Sequence, residues 1–378
     1  MTESQVDPQI MKEAHRISAE PGVRAVLLAG GRVTGRTWPG ADVDLLVITE
    51  HGPARTDIAD VAWTTFDTEY TTLVKLETAM TTSFVTCSKC LHLVTLSGDP
   101  QFALRIEALA RQLYHDHIPG ADELEEFRAQ VRAAADTVRV AIGHADAVAA
   151  TQAGGAMVWH AGRICLTMAG VGPVREDQWH AVLHAAHLPF DAAAPYADWF
   201  IGAALEDRLV AAFTLADRAL GHGLSRAPIA DTPLPPPPAL QRRARPAAAE
   251  AVEMHRLIQA VGFGKMAKAE WLRDPVRQAS EMGVILWFAV PALLALGGVV
   301  APDQRWWDIA LRQAALPDIT AILHARALTA PAFEERKVAA LALGRSALDA
   351  LEAVFRDTPY ADKYRRASQG SFQQQANH

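Results

Sequence analysis

The stretch from Trp159 to Leu220 returns without a gap as Trp287 to Leu348, each residue 128 positions further along. Trp159 pairs with Trp287, Leu166 with Leu294, Gly170 with Gly298, Trp179 with Trp307 and Leu183 with Leu311. The pairing continues through Leu188-Pro189 with Leu316-Pro317, Glu206 with Glu334, Arg208 with Arg336 and Leu220 with Leu348. Such a repeat means one supersecondary unit used twice, so both copies must bury equivalent faces. Within each copy the order is helix, glycine stop, turn, helix and Leu-Pro stop. Trp159–Met168 is the first expected helix, ended near Gly170 and Gly172. Glu176–Leu188 is the next, with Trp179, Val182, Leu183 and Ala186 at helical spacing, and about Ala203–Leu220 the last, with Leu205, Leu209, Ala212, Phe213 and Ala216 on one face. Ahead of the first copy, Asp122–Ala150 is Ala-rich and helical in rhythm.

The repeat also decides how an apolar run is read. Met282–Ala301 is uncharged and nearly long enough to span a bilayer, but Pro291 and Gly297-Gly298 interrupt it and its flanks carry no basic cluster. Its counterpart holds Arg163, Cys165 and Thr167 where this run holds Pro291, Leu293 and Ala295. A buried helix of a second bundle is therefore expected, and no membrane partner. Residues kept in both copies, such as the Trp pairs and Glu206/Glu334, are expected to hold the bundles together. Arg163, present in the first copy alone, is a candidate for phosphate or acceptor contact or else an ordinary helix arginine. Arg208 and Arg218 lie on the last helix of the first copy, and Arg208 has its counterpart in Arg336.

A second feature lies near the N-terminus. An apolar run (Val26, Leu27, Leu28) ends in Gly30-Gly31, a polar loop with Gly35 and Gly40 follows, and Asp42 and Asp44 open the apolar run Leu45-Leu46-Val47. Carboxylates at i and i+2 on a strand face the same way, so both can hold one divalent cation, and oxygen ligands of this kind suit Mg²⁺. The glycines let the backbone approach a triphosphate and aim N–H groups at it.

At these residues the chain resembles the nucleotidyltransferase superfamily, marked by a hydrophobic strand, Gly-Ser or Gly-Gly, a short loop and Asp-x-Asp before apolar residues. Gly31 stands where the family usually has Ser, so a hydroxyl to the phosphates is lost while the backbone N–H remains. The resemblance implies a third carboxylate on a later strand. The next β-like run is Ile58–Thr65, and Asp60 sits where it would fall, as metal ligand or as the general base for the acceptor hydroxyl; the plainer reading is a solvent-facing acid on an edge strand, and Asp57, Asp67 and Glu69 lie close by. An N-terminal domain of this type followed by a bundle carrying Trp159-His160-Ala161-Gly162-Arg163-Ile164-Cys165-Leu166, Gly170, Trp179 and Leu188-Pro189 is similar to the aminoglycoside adenylyltransferases of the streptomycin/spectinomycin branch. In that family the bundle closes over the first domain and its polar residues hold nucleotide and acceptor. A second bundle departs from the pattern.

The expected fold is α+β: a nucleotidyltransferase domain (1–118) with a mixed β-sheet and flanking helices, a first helical bundle (119–224), a Pro-rich linker (225–247), a second, homologous bundle (248–358) and a disordered tail (359–378). A chain of 378 residues, half of them hydrophobic, is long enough for two or three cores. The net charge of −7 disfavours wholesale nucleic-acid binding, which announces itself as a basic surplus. An N-terminus without the apolar core of a secretory signal, and an odd set of three cysteines, point to a reducing, cytoplasmic setting.

Other constellations carry less. Cys87-Ser88-Lys89-Cys90 with His92 has half the ligands of a zinc site, but the other cysteine, Cys165, belongs to a different domain. His180, His184 and His187 share a helix face without a Glu to complete a metalloprotease arrangement. Arg139 with His144 matches a loose Arg-x4-His pattern of small helical ribonucleases. Two functions follow. The first, implied by the resemblance, is Mg²⁺-dependent transfer of AMP from ATP to a hydroxyl of a small polar acceptor, aminoglycoside-like or another natural product, with catalytic and metal residues Asp42, Asp44 and Asp60 and nucleotide contacts at Gly30, Gly31 and Arg163. The alternative is a binding or regulatory protein on a degenerate scaffold, or transfer to a macromolecular acceptor.

Overall fold

The computed structural model describes residues 6–33, 43–61, 64–172, 174, 178–233, 239–302 and 304–358. They fall into two compact units, one up to Ile118 and one from Pro119.

The first unit is α+β. It runs α1 (Pro8–Ser18), β1 (Val23–Leu28), a 3₁₀ turn (Gly30–Arg32), β2 (Val43–Thr49), β3 (Arg55–Val61), β4 (Thr64–Thr72), α2 (Leu73–Thr82), α3 (Phe84–Lys89), β5 (Val94–Gly98) and α4 (Gln101–Asp116). Asp7 starts α1 by accepting from the Gln9 amide at 2.8 Å, and Pro8 takes the first turn, where no N–H is needed. The strands lie in the order β3-β4-β2-β1-β5, with β2 and β4 parallel and the other neighbours antiparallel. Leu27, Leu46 and Ile48 pack on Leu76, Met80 and Ile106 of α2 and α4 on one face. On the other, Val26, Leu28, Leu45 and Val47 meet Ile10, Ala14 and Ile17 of α1. A sheet covered on both sides needs apolar residues at odd and even positions alike, which is why β1 and β2 read as unbroken apolar runs.

The run Ile58–Thr65 is not one strand. β3 ends at Val61 and β4 starts at Thr64, the two residues pairing at the head of an antiparallel hairpin. No glycine, proline or asparagine marks the turn, so the sequence carries no break there.

The second unit is helical: α5 (Ala121–Gly143), α6 (Ala147–Met168), α7 (Trp179–Ala185), α8 (Ala193–Ile201) and α9 (Leu205–Leu220), then α10 (Ala248–Arg256), a π-helical stretch (Leu257–Phe263), α11 (Gly264–Trp271), α12 (Pro275–Leu296), α13 (Trp307–Gln313), α14 (Asp318–Thr329) and α15 (Phe333–Phe355). At the 128-residue offset α6 and α12 share both bounds, as do α7 and α13; α8 and α14 end together, and α9 and α15 begin together. Finer features recur too. Asp146 caps α6 through the Ala149 amide at 2.9 Å and Asp274 caps α12 through the Arg277 amide at 3.0 Å. The residues before these caps, Ala145 and Arg273, both sit in the left-handed region at φ 54° and 53°. Trp179 Nε1 donates to the Val174 carbonyl and Trp307 Nε1 to that of Pro302, while the pairs Trp159–Trp179 and Trp287–Trp307 have ring centroids 6.0 and 5.9 Å apart. Each half has its own core, one built around Met157, Ile164 and Phe213, the other around Ile285, Leu294 and Leu343.

Some helices differ from expectation. The helix expected from Trp159 begins at Ala147, because the Asp146 cap sets its start, and this divides the run expected from Asp122 to Ala150. Helix α8 lies between the expected helices, and its Pro195 sits in the first turn, where proline is tolerated. Helix α12 is long and apolar enough to cross a membrane, and 61% of its apolar window is buried within the bundle. It continues past Pro291. The expected tail, 359–378, lies outside the described residues.

Candidate functional site

The end of β1 and the start of β2 form one corner. The Ala29 amide donates to the Asp44 carbonyl at 3.0 Å, which brings the turn after β1 against the first residues of β2. Gly30 then has φ +72°, and a β-carbon there would run into the Asp44 carboxylate. Glycine is needed on both counts, for the left-handed backbone and for the room beside the acid. Gly31 follows in the same 3₁₀ turn. Asp42 lies outside the described residues.

The face carrying Asp44 is fixed by alternation: Val43 and Leu45 enter the α1 core, so Asp44 shares the opposite face with Leu46 and Ile48. Parallel pairing sets Asp67 of β4 beside Asp44 and Glu69 beside Leu46. Phe66 and Tyr70 enter the α1 core in turn, leaving Asp67 and Glu69 on the Asp44 face. From α3, Lys89 reaches this group, its Nζ 3.1 Å from Asp44 Oδ1 and 3.7 Å from Glu69 Oε2. Burial alone would lower the Lys89 ammonium, but Asp44, Glu69 and Asp67 outweigh it and hold it above its ordinary value. Asp67 Oδ1 is buried and accepts no hydrogen bond among the described residues. Three acids against one ammonium leave a negative pocket of oxygen donors, and an orphaned buried carboxylate oxygen suits a hard divalent cation. Among the described residues no three His, Cys, Asp or Glu side chains already stand in a metal-holding group.

Asp60 belongs to β3, which pairs with β4 and is separated from β2 by it. The strand next to Asp44 thus supplies Asp67 and Glu69 as its acids. Sequence reading named both only as neighbours of Asp60 and did not place Lys89 at all. The Phe-Asp-Thr-Glu-Tyr alternation was the available signal for β4; no local signal tells that a lysine between two cysteines turns toward Asp44.

Other expected site residues have structural employments. Arg163 lies on α6 in the helical unit, 3.9 Å from Glu123 and over the Phe127 and Trp159 rings. Cys87 and Cys90 are buried free thiols, Cys87 donating to the Ala110 carbonyl at 3.2 Å and Cys90 pushed up to about 12 by burial and Glu69. Arg139 and His144 bind the segment after α9, through Arg139 Nε to the Ala227 carbonyl and His144 Nε2 to that of Thr232, both at 2.8 Å.

No protein-family model and no curated protein matches the chain. Among solved structures it is similar to a nucleotidyltransferase-like protein from Exiguobacterium sibiricum, at 14% identity and a TM-score of 0.36, covering 56% of this chain and 74% of that one.

Proposed function

We propose that the chain is a nucleotidyltransferase that moves AMP from ATP to a hydroxyl of a small polar acceptor and releases pyrophosphate. The observation that carries this reading is the corner itself: a glycine made obligatory by the carboxylate beside it, and a parallel neighbour strand delivering two more acids to the same face. The residues fit Mg²⁺, with Asp44 and Asp67 as ligands and Asp42 joining them by its i, i+2 spacing. When bound, the ion neutralises charge on the phosphates.

The protein's own part is positioning. Backbone N–H groups of the Gly30-Gly31 turn receive phosphate oxygens. The acceptor oxygen attacks the α-phosphorus, the bond to the bridging oxygen of pyrophosphate breaks, and the hydroxyl proton passes to a carboxylate, for which Glu69 is the acid of the β4 pair not assigned to the ion and Asp60 the one expected from sequence. Arg163 is assigned to nucleotide or acceptor contact by resemblance alone. The test is incubation with Mg²⁺, each labelled nucleoside triphosphate and a panel of polyhydroxylated amines, read as pyrophosphate release. Asp44→Asn is expected to lower turnover at least about a hundredfold, the scale of losing one electrostatic contact to the transition state. Turnover that persists in Asp44→Asn removes the assignment.

One observation favours a second reading. Lys89 already bridges Asp44 and Glu69 as an internal cation, and with Gly31 in place of serine it fits a scaffold that binds nucleotide without turning it over. Nucleotide binding that is independent of Mg²⁺, with no pyrophosphate formed, selects that reading.

A further inference from the structure

Arg208 and Arg336 occupy equivalent places on α9 and α15, and both are buried, at 6% and 1% exposure. Arg208 donates through Nε to the Trp199 carbonyl and through Nη1 to the Leu328 carbonyl, at 3.0 and 2.9 Å. Arg336 donates through Nη1 to the carbonyls of Ala330 and Pro331, both at 3.0 Å, and through Nη2 to those of Phe200 and Gly202, at 3.0 and 3.1 Å. Phe200 and Leu328 are themselves equivalent. Each arginine therefore caps the C-terminal end of the short helix in its own half and the same end of the matching helix in the other half.

That exchange is reciprocal: residue i of one half meets residue j of the other, and j meets i. Reciprocity of this kind defines the contact of a two-fold dimer, where one patch serves both sides. The helices obey it too, since α6 packs on α14 and α12 on α8. Phe200 and Ile201 pack against both cores. The two guanidinium groups lie close enough that the charge of Arg336, added to burial, pushes Arg208 down to about 9. Both stay charged at neutral pH, with helix-end carbonyls as their counter-charges. Of the connecting segment, Leu240 packs against the second core. The segment's first part is tied to α5 by Arg139 and His144, and its last part to the second half through Arg243 N to Gly298 O and Val300 N to Gln241 O.

We propose that the helical unit is a fused two-fold dimer: the face formed by α6, α8 and α9 of the first bundle is a docking surface for a second copy of the same bundle, and α12, α14 and α15 fill it within one chain. The covalent tether is then dispensable for association, and the two arginines set the register of the halves. This holds whether or not the Asp44 site transfers nucleotides.

The experiment replaces residues 234–238 of the full chain with a site-specific protease sequence, cuts the folded protein, and follows the halves by size exclusion and native mass spectrometry on dilution. The cut protein is expected to remain one particle at micromolar concentration. Arg208→Lys and Arg336→Lys, which keep the charge but lose the forked donor, are each expected to weaken the cut halves at least about tenfold, the loss of one or two charge-assisted hydrogen bonds. Circular dichroism of the uncut variants reports that they are folded. Halves that separate at micromolar concentration without any substitution overturn the proposal, as does weakening by only one of the two lysine variants.

Discussion

The two halves of the helical unit agree in the features that fix helix ends and their shared contact, and differ in how the space between is filled. Capping aspartates, left-handed linker residues, indole hydrogen bonds and buried arginines coincide at the offset. Other side chains along the helices do not. His160 stands against Phe288, Arg163 against Pro291 and Gly162 against Val290, and the continuous α5 is matched by a helix interrupted with a π-helical stretch. Positions that match therefore hold the helix ends and the mutual contact of the halves, and positions that differ show where each core is packed in its own way.

The largest expected effect breaks the matching set. Arg336→Met strips four carbonyls of a buried donor and Arg208→Met strips two. Losses of about 3–5 kcal/mol and about 2–3 kcal/mol follow from a penalty of about 1–3 kcal/mol per buried group, partly offset by water and relaxation. The double variant is expected to lose more than the sum, because each single change already relieves the repulsion between the two like charges and the double relieves it only once. Urea midpoints of the three variants measure both points.

A smaller effect sharpens a difference. A β-carbon on Gly162 would lie 2.7 Å from the Trp179 ring, while the second half carries Val290 at that place and keeps nearly the same spacing of its indoles. Gly162→Ala is expected to cost about 1–2 kcal/mol by overpacking. Val290→Ala costs a similar amount for the opposite reason, a cavity in the second core. Thermal unfolding followed by tryptophan fluorescence reads each. The caps rank next. Asp146→Ala and Asp274→Ala are expected to lose about 1 kcal/mol each, nearly equally, since each removes one amide acceptor at a helix start. A large inequality in melting would show that the halves do not bear their first turns alike.

How far the sequence could be read follows the same division. The β1 and β2 runs and the glycine between them were legible because burial on both faces and a left-handed turn leave direct marks on residue type. The offset was legible because both copies keep their tryptophans, glycines and Leu-Pro stops. The β3–β4 turn was not, since the residues around it have β preference on both sides and no punctuating residue between. Lys89 and Asp67 were hidden for a different reason: their place in the site comes from strand order and from the approach of α3, which no local spacing encodes. The match of Arg208 with Arg336 was visible in the sequence, and what it means, a place for both at the shared face, needed the fold.

The smallest prediction turns on the pair His160 and Phe288. Burial, followed by the nearby Arg163 charge, holds His160 below its ordinary value of 6.5, so the folded protein binds fewer protons there than the unfolded chain. The sign follows from linkage: the stability tied to this neutral imidazole is fully present above about pH 6.5 and is lost as pH falls from there through the depressed folded value. His160→Phe copies the residue that the second half already accommodates and removes the titration. The variant is expected to match the parent near pH 8 within about 1 kcal/mol, as a near-isosteric ring exchange, and to unfold with a shallower dependence on acid as pH falls below 6.5. Equal slopes for variant and parent in that window would place the acid sensitivity elsewhere and leave the His160/Phe288 difference without an energetic consequence.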